Sequence, residues 1–537
     1  MFFKLYVVPD RTLNVSQISS IGYILLRDEH MNIFKLVLKL DHGSAFGRIY
    51  LPDTLQTGVY ELVAFTNYMR NYSEKIYFRK QLLIVNRFDK MLDNLYRHDL
   101  PIAGTGIPQP VQPGNAVEGA GSLRLNLEKD SFRVREKINI AIDLDPSLKN
   151  LKLVNASLSV KAIAQLDGFS FAGSTGTGIP NTGLASSTPP SGDHFLAENK
   201  GVYLKGSISA GTVKHNDQEC LIISTPDTIP NLEYTYANDS GKFLLLLDNY
   251  YLGKKVLIKP FINESPEGSR KIELEDKFAL SGPFHPVLPA MNIELKKYIF
   301  SSQDMVQIGK AYPGESTVKD LPPVRMTAKI PYVYLHPSSV VLTANYMPLD
   351  NFNEISANIL YGQVLKKNRD VYNVFLFDDL TKSFFTQPAI LFVDGMAIDN
   401  ASQIINLGSN DIEKISLCNS LRMKGELEIP GVVSITTKKH RPDMVTLNNP
   451  ATWFSFDKYL APSTFRSPDY ARSGKQGYQP DFRQLLYWEP DLSLRQGVTS
   501  RRSFYAGDYV SEYLVELKGF TSDGKPVSVS AKIKIYR

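Results

Sequence analysis

The sequence predicts a mainly β, multidomain protein, and three observations support this fold class. The chain has 537 residues, enough for about three to five domains that each bury a core. Tyr and Phe occur 28 times each, and aromatic residues favour strands. Gly and Pro occur 35 and 32 times, as expected where many turns join short strands.

Charge and hydropathy exclude several functional classes. The net charge of +5 comes from 60 basic and 55 acidic residues without a long run of one sign. Such a pattern gives no electrostatic footprint for nucleic acid or for an anionic membrane surface. The apolar stretch in GKFLLLLDN is far shorter than the about 20 residues of a transmembrane helix. We therefore expect no nucleic-acid partner and no transmembrane helix.

The first half of the chain is predicted to contain two β-sandwiches. Strand-like runs such as IGYILLRDEH and GVYELVAFTNYMR, separated by turn residues, place the first sandwich at residues 1–94. The Gly- and Pro-rich stretch PIAGTGIPQPVQPGN indicates a linker over 95–121. A second sandwich is expected over 122–282, with a flexible, low-complexity insertion at 171–193.

The second half is predicted to contain four segments. Residues 283–330 are expected to form a helical or extended connector, because NIELKKYIFSSQDMVQIGKAY has apolar spacing close to the helical period. A small α+β domain follows at 331–445, then a linker at 446–478. A C-terminal β-sandwich-like domain is expected at 479–537.

The predicted α+β domain contains three motifs in order along the chain. They are PAILFVDGMAID, LGSNDIEKISL and PGVVSITTKK. In the first, Asp394 and Gly395 supply the two positive-φ positions of a type I′ hairpin. In the second, Ser409 or Asn410 is expected to cap a short helix ahead of a strand. The third predicts a β-branched strand with a basic end.

These motifs resemble the plug domain of TonB-dependent outer-membrane receptors. The motif residues, to which we assign a structural role, are Val393, Asp394, Gly395, Asn410, Asp411, Ile412, Glu413, Gly431, Thr436, Thr437 and Lys438. The sequence departs from the family where LRMKGELEIP replaces a Tyr-Gly-Ser-Arg-Gly-like loop. Only 98 residues follow Lys439, whereas a receptor barrel needs about 22 strands. The resemblance therefore implies a plug-like domain without a barrel.

Other regions resemble bacterial macroglobulin-like (MG2-type) envelope proteins. GVYELVAFTNYMRN and KQLLIVN are similar to an Ig-like or macroglobulin-like β-sandwich of that family, and DFRQLLYWEPDL is similar to its closing sandwich. The strand and signal peptide that normally precede FFKLYVV are missing, so Met1 is expected to be an internal start of a truncated chain. The resemblance implies macroglobulin-like sandwiches flanking the plug-like α+β domain.

A search for catalytic chemistry finds no motif. The sequence has no CxxC, HExxH, P-loop or GxSxG pattern, and its eight histidines include no pair with metal-ligand spacing. Cys220 and Cys418 lie outside a Gly-Cys-Gly-Glu-Gln thioester motif. Cys220 has apolar neighbours and is expected in a core, where burial raises the thiol pKa. We predict no catalytic, metal-binding or cofactor-binding residue and no cofactor.

The resemblance implies a non-catalytic docking protein of a Gram-negative cell envelope, in the periplasm or at the outer membrane. Its expected partners are envelope or outer-membrane proteins of transport or secretion. The alternative is a carbohydrate- or peptide-binding surface module in which Tyr487 and Trp488 contact the ligand, although aromatic residues at strand spacing are more often core. A hydrolase site assembled from distant residues stays open as a third reading, because such sites leave no motif.

Overall fold

The computed structural model describes most of the chain in two compact units. Unit 1 comprises residues 1–199, 278–323 and 460–537, and unit 2 comprises 200–277 and 324–459. The described residues are 1–7, 19–30, 32–84, 86, 123–144, 154–163, 195–209, 219–226, 232–247, 255–261, 271–285, 337–440, 445–447, 451–455, 465–471, 481–495, 497–521 and 526–537.

Several predicted segments lie outside these ranges. They are the linker at 95–121, the insertion at 171–193, the helix at 292–312 with nearly all of its connector at 283–330, and much of the linker at 446–478. The described part confirms the mainly β, multidomain class, because strands dominate it and it contains one α-helix of eight residues. Within this part, no helix is long and apolar enough to cross a membrane.

Unit 1 begins with two facing antiparallel sheets. Their strands are β1 (Phe2–Tyr6), β2 (Ile21–Arg27), β3 (Asn32–Lys39), β4 (Ser44–Arg48), β5 (Gly58–Phe65) and β6 (Phe78–Ile84). β1 pairs with β4, and the other strands are ordered β3-β2-β5-β6. Ile24, Leu38 and Ala64 pack between the sheets against Phe3 and Leu5. These strands lie within the range predicted for the first sandwich.

Four further strands of unit 1 follow. They are β7 (Leu123–Leu127), β8 (Ser131–Arg133), β9 (Lys137–Leu144) and β10 (Val154–Ala162). The sequence of β9, KINIAIDL, alternates apolar and polar residues, and its three isoleucines are buried. Alternate side chains of a strand point to opposite faces, so this pattern buries one face of β9.

Unit 2 begins with six strands in two sheets. They are β11 (Val202–Ile208), β12 (Cys220–Ser224), β13 (Leu232–Tyr236), β14 (Lys242–Leu247), β15 (Lys255–Pro260) and β16 (Ile272–Leu274). The first sheet has the order β14-β11-β16. In the second, β12 pairs with β13 on one side and with β15 on the other.

The three motifs lie in the next part of unit 2. Its elements are β17 (Ser339–Leu342), α1 (Phe352–Ile359), β18 (Gln363–Asn368), β19 (Val371–Asp378), β20 (Ser383–Phe384), β21 (Ile390–Val393), β22 (Met396–Ile398), β23 (Ile412–Cys418), β24 (Arg422–Lys424), β25 (Leu427–Ile429) and β26 (Val432–Thr437). Five of the strands form one sheet in the order β17-β23-β26-β21-β22, here named the motif sheet. The others form the sheet β18-β19-β20 and the hairpin β24-β25.

The motif sheet is covered on one face by α1. The helix begins where Asn351 caps it, because the Glu354 N–H donates to the Asn351 side chain at 2.9 Å. Phe352, Ile355 and Ile359 recur at helical spacing and are buried against the sheet. The opposite face packs part of β21 and β22 against β12 and β13.

β27 (Thr452–Ser455) lies inside the predicted linker at 446–478. It pairs antiparallel with β15, so this part of the predicted linker is a strand of unit 2. TWFS is too short for a periodicity to distinguish it from a loop.

Unit 1 ends with β28 (Leu485–Leu494), β29 (Ser500–Tyr505), β30 (Glu512–Thr521) and β31 (Pro526–Tyr536). They combine with β7 to β10 in two sheets, ordered β28-β10-β30-β31-β8 and β29-β9-β7, here named the paired sandwich. Its core includes Phe132, Leu158 and Tyr513. The sequence-based division differs, because it assigns these strands to domains at 122–282 and 479–537. Each half carries strand alternation, and alternation does not reveal which distant strand completes a core.

Candidate functional site

The first motif forms the predicted hairpin. Val393 pairs with Met396 across a turn in which Asp394 and Gly395 have φ values of +47° and +81°. This confirms the positive-φ turn that the Asp-Gly pair predicts. Asp394 is buried despite its carboxylate, so its acceptor oxygens need partners inside the protein.

Those partners come from the third motif. The Thr437 backbone N–H donates to Asp394 Oδ1 at 2.8 Å, and the Thr437 hydroxyl donates to Asp394 Oδ2 at 2.6 Å. The arrangement follows from the parallel pairing of β21 with β26, in which Val393 lies opposite Ile435. Asp394 therefore ties the turn of the first motif to the end of the third.

The second motif forms a turn where a short capped helix was expected. The N–H groups of Asp411 and Ile412 both donate to the Gly408 carbonyl at 3.0 Å, and Ile412 begins β23. Ser409 and Asn410 lie in this turn, so the expected helix cap is wrong. The cause is the immediate start of β23, which leaves no room for a helical turn. Ile412 is fully buried, whereas Glu413 is exposed.

The turn of the second motif also contacts its surroundings through the backbone. The Lys438 N–H donates to the Asp411 carbonyl at 2.9 Å, which joins the second and third motifs. A Cβ at Gly408 would lie 2.6 Å from the Leu349 carbonyl oxygen and 2.5 Å from that of Asp350. Only glycine fits so close to two backbone oxygens. No sequence motif indicates this contact, because Leu349 is distant from Gly408 along the chain.

Gly431 is a second position that requires glycine. Its φ is +102°, and a Cβ there would lie 2.9 Å from the Cys418 carbonyl oxygen and 2.5 Å from Leu376 Cδ1. Thr436 and Thr437, at the other end of β26, are buried. The structure thus brings the three motifs together as one supporting network of hydrogen bonds and close packing.

The polar side chains of the motif network bind one another. No group of three or more His, Cys, Asp or Glu side chains that could hold a metal ion occurs in the described part of the chain. His440 Nδ1 lies 3.8 Å from Asp394 Oδ1, but it is an exposed ring at the end of β26. Thr437 uses its hydroxyl proton to bind Asp394. Asp394 and Thr437 thus stabilise the turn of the first motif.

A buried ion pair that the sequence did not predict lies elsewhere in unit 2. Lys259 of β15 donates to Asp399, which follows β22. The Lys259 side chain is 5% exposed and that of Asp399 is 19% exposed. Burial lowers the pKa of the Lys259 amino group, and the Asp399 carboxylate opposes that shift. The pair joins the β12-β15 sheet to the end of the first motif.

The two cysteines support packing. Cys418 is buried in the cluster beneath β21 and β22, and Cys220 packs against the same cluster. Burial raises the pKa of the Cys220 thiol to about 11, which keeps it in the unreactive thiol form. The expected apolar surroundings of Cys220 are therefore observed, but the residue is partly buried at the edge of this core.

The aromatic pair considered for ligand contact lies in β28. Trp488 is 7% exposed, and its ring packs 4.9 Å from the ring of Phe2 and 6.2 Å from that of Phe46. Tyr487 stacks on Phe504 at 5.3 Å, and its hydroxyl donates to Glu489 at 2.9 Å. The structure therefore leaves Trp488 no open indole face on which a sugar could stack.

Comparison with known proteins gives no family. No protein-family model matches the chain, and no curated protein matches its sequence. The fold and the site define only a class of protein. The chain is a mainly β, multidomain protein with a structural motif network, and its described residues contain no metal cluster.

Solved structures similar to the chain include alpha-2-macroglobulins and an adhesion protein. A mutant alpha-2-macroglobulin from Salmonella is 9% identical with a TM-score of 0.20, covering 100% of this chain and 39% of that one. Trypsin-activated alpha-2-macroglobulin from Escherichia coli is 9% identical with a TM-score of 0.10, covering 96% and 21%. A tandem-repeat region of a large adhesion protein is 8% identical with a TM-score of 0.11, covering 97% and 93%. The chain thus spans about two fifths or less of the length of these macroglobulins.

Proposed function

We propose that this chain is a non-catalytic docking protein of a bacterial cell envelope, and that the region around the motif sheet is its docking module. The observation that carries the proposal is the distribution of exposed apolar side chains. Of 17 large apolar side chains that are exposed in the described part of the chain, nine lie between residues 339 and 437. That stretch is under a third of the described residues.

These exposed apolar side chains lie in the docking module. The nine residues are Val340, Leu342, Tyr346, Met347, Tyr361, Leu380, Phe384, Leu421 and Met423. Three of them are at least 80% exposed, namely Met347, Tyr361 and Leu380. Single exposed apolar residues are ordinary, but their concentration on one domain is typical of a surface that meets another protein.

The envelope setting is supported by the sequence motifs alone. Their similarity to receptor plugs lies in the order and the residue types of the three motifs. In the structure, Asp394 of the first motif accepts hydrogen bonds from Thr437 of the third, and Gly408 of the second packs against backbone oxygens. A plug-like module without its own barrel would use its surface to contact another envelope protein. Periplasmic or outer-membrane residence and a role in transport or secretion belong to this proposal.

Photo-crosslinking in cells that naturally make the protein tests the proposal. A crosslinking amino acid is placed at Tyr361 or Leu380 in the docking module, and at Tyr50 or Val498 in unit 1 as matched exposed controls. We expect specific adducts with envelope proteins from the first pair and much weaker adducts from the second. Adducts with cytosolic proteins only, or equal yields from both pairs, would contradict the proposal.

A further inference from the structure

The outer strand of the motif sheet has a free edge. β17 pairs antiparallel with β23, from Ser339 opposite Leu417 to Leu342 opposite Lys414. Among the described residues, no strand pairs with its other side. Such an edge presents a row of backbone N–H and C=O groups that a further strand can bind.

Two other edges in the same domain are protected. β22, at the opposite end of the motif sheet, is buried, and the Ala397 N–H donates to the Ser224 hydroxyl at 3.0 Å. β18, at the edge of its own sheet, carries Lys366 and Lys367, and lysines on an edge discourage pairing with another chain. β17 has neither protection. From Pro337 to Leu349 the sequence PSSVVLTANYMPL contains no charged residue.

The side chains of β17 are also arranged for pairing. Val341 is directed toward the core that α1 covers, whereas Val340 and Leu342 are directed to the opposite face. Val340 is 51% exposed and Leu342 is 44% exposed. Both are large apolar side chains, and valine in particular favours strands. Both nevertheless remain largely in contact with solvent.

We infer that β17 pairs antiparallel with β17 of a second copy of this chain, so that two motif sheets join across a two-fold axis. Side-chain alternation restricts the register, because residues directly opposite each other must share a face, and of the registers it allows we choose the one that pairs both exposed side chains of β17. Val341 then lies opposite its own counterpart. Val340 of each copy lies opposite Leu342 of the other, which covers both exposed side chains.

A second copy fits this edge because the segment around β17 carries no charged residue. In two-fold antiparallel pairing, charged residues of an edge strand approach the same charges of its copy, and like charges in close pairs destabilise a sheet. The uncharged segment avoids that repulsion. The contact is isologous and therefore closes as a dimer. β17 has only four residues, so we expect a weak dimer that dissociates on dilution.

Sedimentation velocity of the full chain over a range of concentrations tests the inference. The wild type should shift from monomer toward dimer as concentration rises. Val340→Lys places a lysine against Leu342 of the other copy twice per dimer, and it should weaken association by about tenfold. Both residues are exposed, so the fold should persist, which circular dichroism verifies.

A charge-pair rescue separates strand pairing from general surface effects. Val340→Lys combined with Leu342→Glu places opposite charges across the inferred register and should restore much of the association. Val498→Lys, at a valine of unit 1 that is 57% exposed, is the matched control and should leave the dimer unchanged. A chain that stays monomeric at every concentration overturns the inference, as does a dimer insensitive to Val340→Lys. Neither result affects the crosslinking test, which concerns other proteins.

Discussion

The paired sandwich of unit 1 and the motif sheet of unit 2 both bury β-branched strands, but they are assembled from very different lengths of chain. β10 of the paired sandwich binds β30, with Val154 opposite Thr521. All strands of the motif sheet lie between residues 339 and 437. The difference teaches that the sandwich depends on apolar burial between distant segments. The motif sheet also has a buried polar contact between the turn after β21 and the end of β26, in which Asp394 accepts two hydrogen bonds from Thr437.

The apolar side of this comparison is tested by Phe132→Ala. Phe132 is fully buried in the core of the paired sandwich, and the truncation should lower the free energy of unfolding by about 4 kcal/mol. Urea denaturation measures the change. Phe78→Ala, at a strand residue that is 38% exposed, is the control and should cost about 1 kcal/mol or less. Equal losses in the two variants would show that the paired sandwich does not depend on this core.

A smaller loss is expected for Asp399→Ala in unit 2. This change leaves the buried Lys259 ammonium without its carboxylate, which should cost about 3 kcal/mol in urea denaturation. Adding Lys259→Met removes the unpaired charge and should recover most of the loss. Glu233→Ala breaks the more exposed pair with Lys424 and should cost under about 1 kcal/mol. Failure of the double variant to recover stability would mean that Asp399 acts through something other than Lys259.

The buried polar contact of the motif sheet is tested by Thr437→Val. The substitution keeps the shape of a fully buried side chain and removes the hydroxyl that donates to Asp394. We expect a loss of roughly 1–2 kcal/mol, because a buried carboxylate oxygen loses a partner. Thr235→Val is the control, since that hydroxyl donates to the Leu244 carbonyl near solvent. A thermal unfolding midpoint that Thr437→Val leaves unchanged would show that the hydrogen bond from the Thr437 hydroxyl to Asp394 does not stabilise the fold.

A pH-dependent effect is expected for Lys4, a half-buried lysine of unit 1. Its amino group donates to neutral acceptors, Asn155 Oδ1 and the carbonyls of Ala156 and Pro490. Burial lowers the Lys4 pKa from 10.5 to about 8. Between these values the unfolded chain binds more protons than the folded chain, so stability should rise with pH over this window.

Lys4→Met should abolish that rise. Urea denaturation of both proteins at a series of pH values isolates the contribution, because other titrating groups are common to the two. The stability of the wild type relative to Lys4→Met should increase from about pH 8 toward 10.5 and stay level below pH 8. Parallel curves throughout would show that the Lys4 amino group is solvated in the folded protein.

Sequence reasoning succeeded where the determining contacts are local. Asp394 and Gly395 adjoin each other, and their residue types alone require a positive-φ turn. Apolar neighbours were enough to predict that Cys220 packs against an apolar cluster, where it is partly buried. Mainly β architecture follows from alternation and turn residues, which also act over short distances.

Nonlocal features escaped prediction for a physical reason. The Lys259–Asp399 pair joins residues that lie far apart in sequence, and each residue alone is an ordinary charged strand-end residue. The strands that pair with β10 could not be predicted from the sequence, because many strands have the same alternation of apolar and polar residues. The helix expected after Ser409 failed because β23 begins at Ile412. The plug and macroglobulin resemblances remain predictions about family, beside a fold class that the structure confirms.

The position of β10 has a consequence for the order of biosynthesis. Both of its edges are bound by strands from the last part of the chain, β28 on one side and β30 on the other. Until those residues leave the ribosome, β10 has two open edges and half of its core is missing. Unit 1 can therefore close only after β28 and β30 have been synthesised. A nascent chain stalled before residue 485 would expose β10 to proteases and to misassembly, whereas all strands of the motif sheet would already be present.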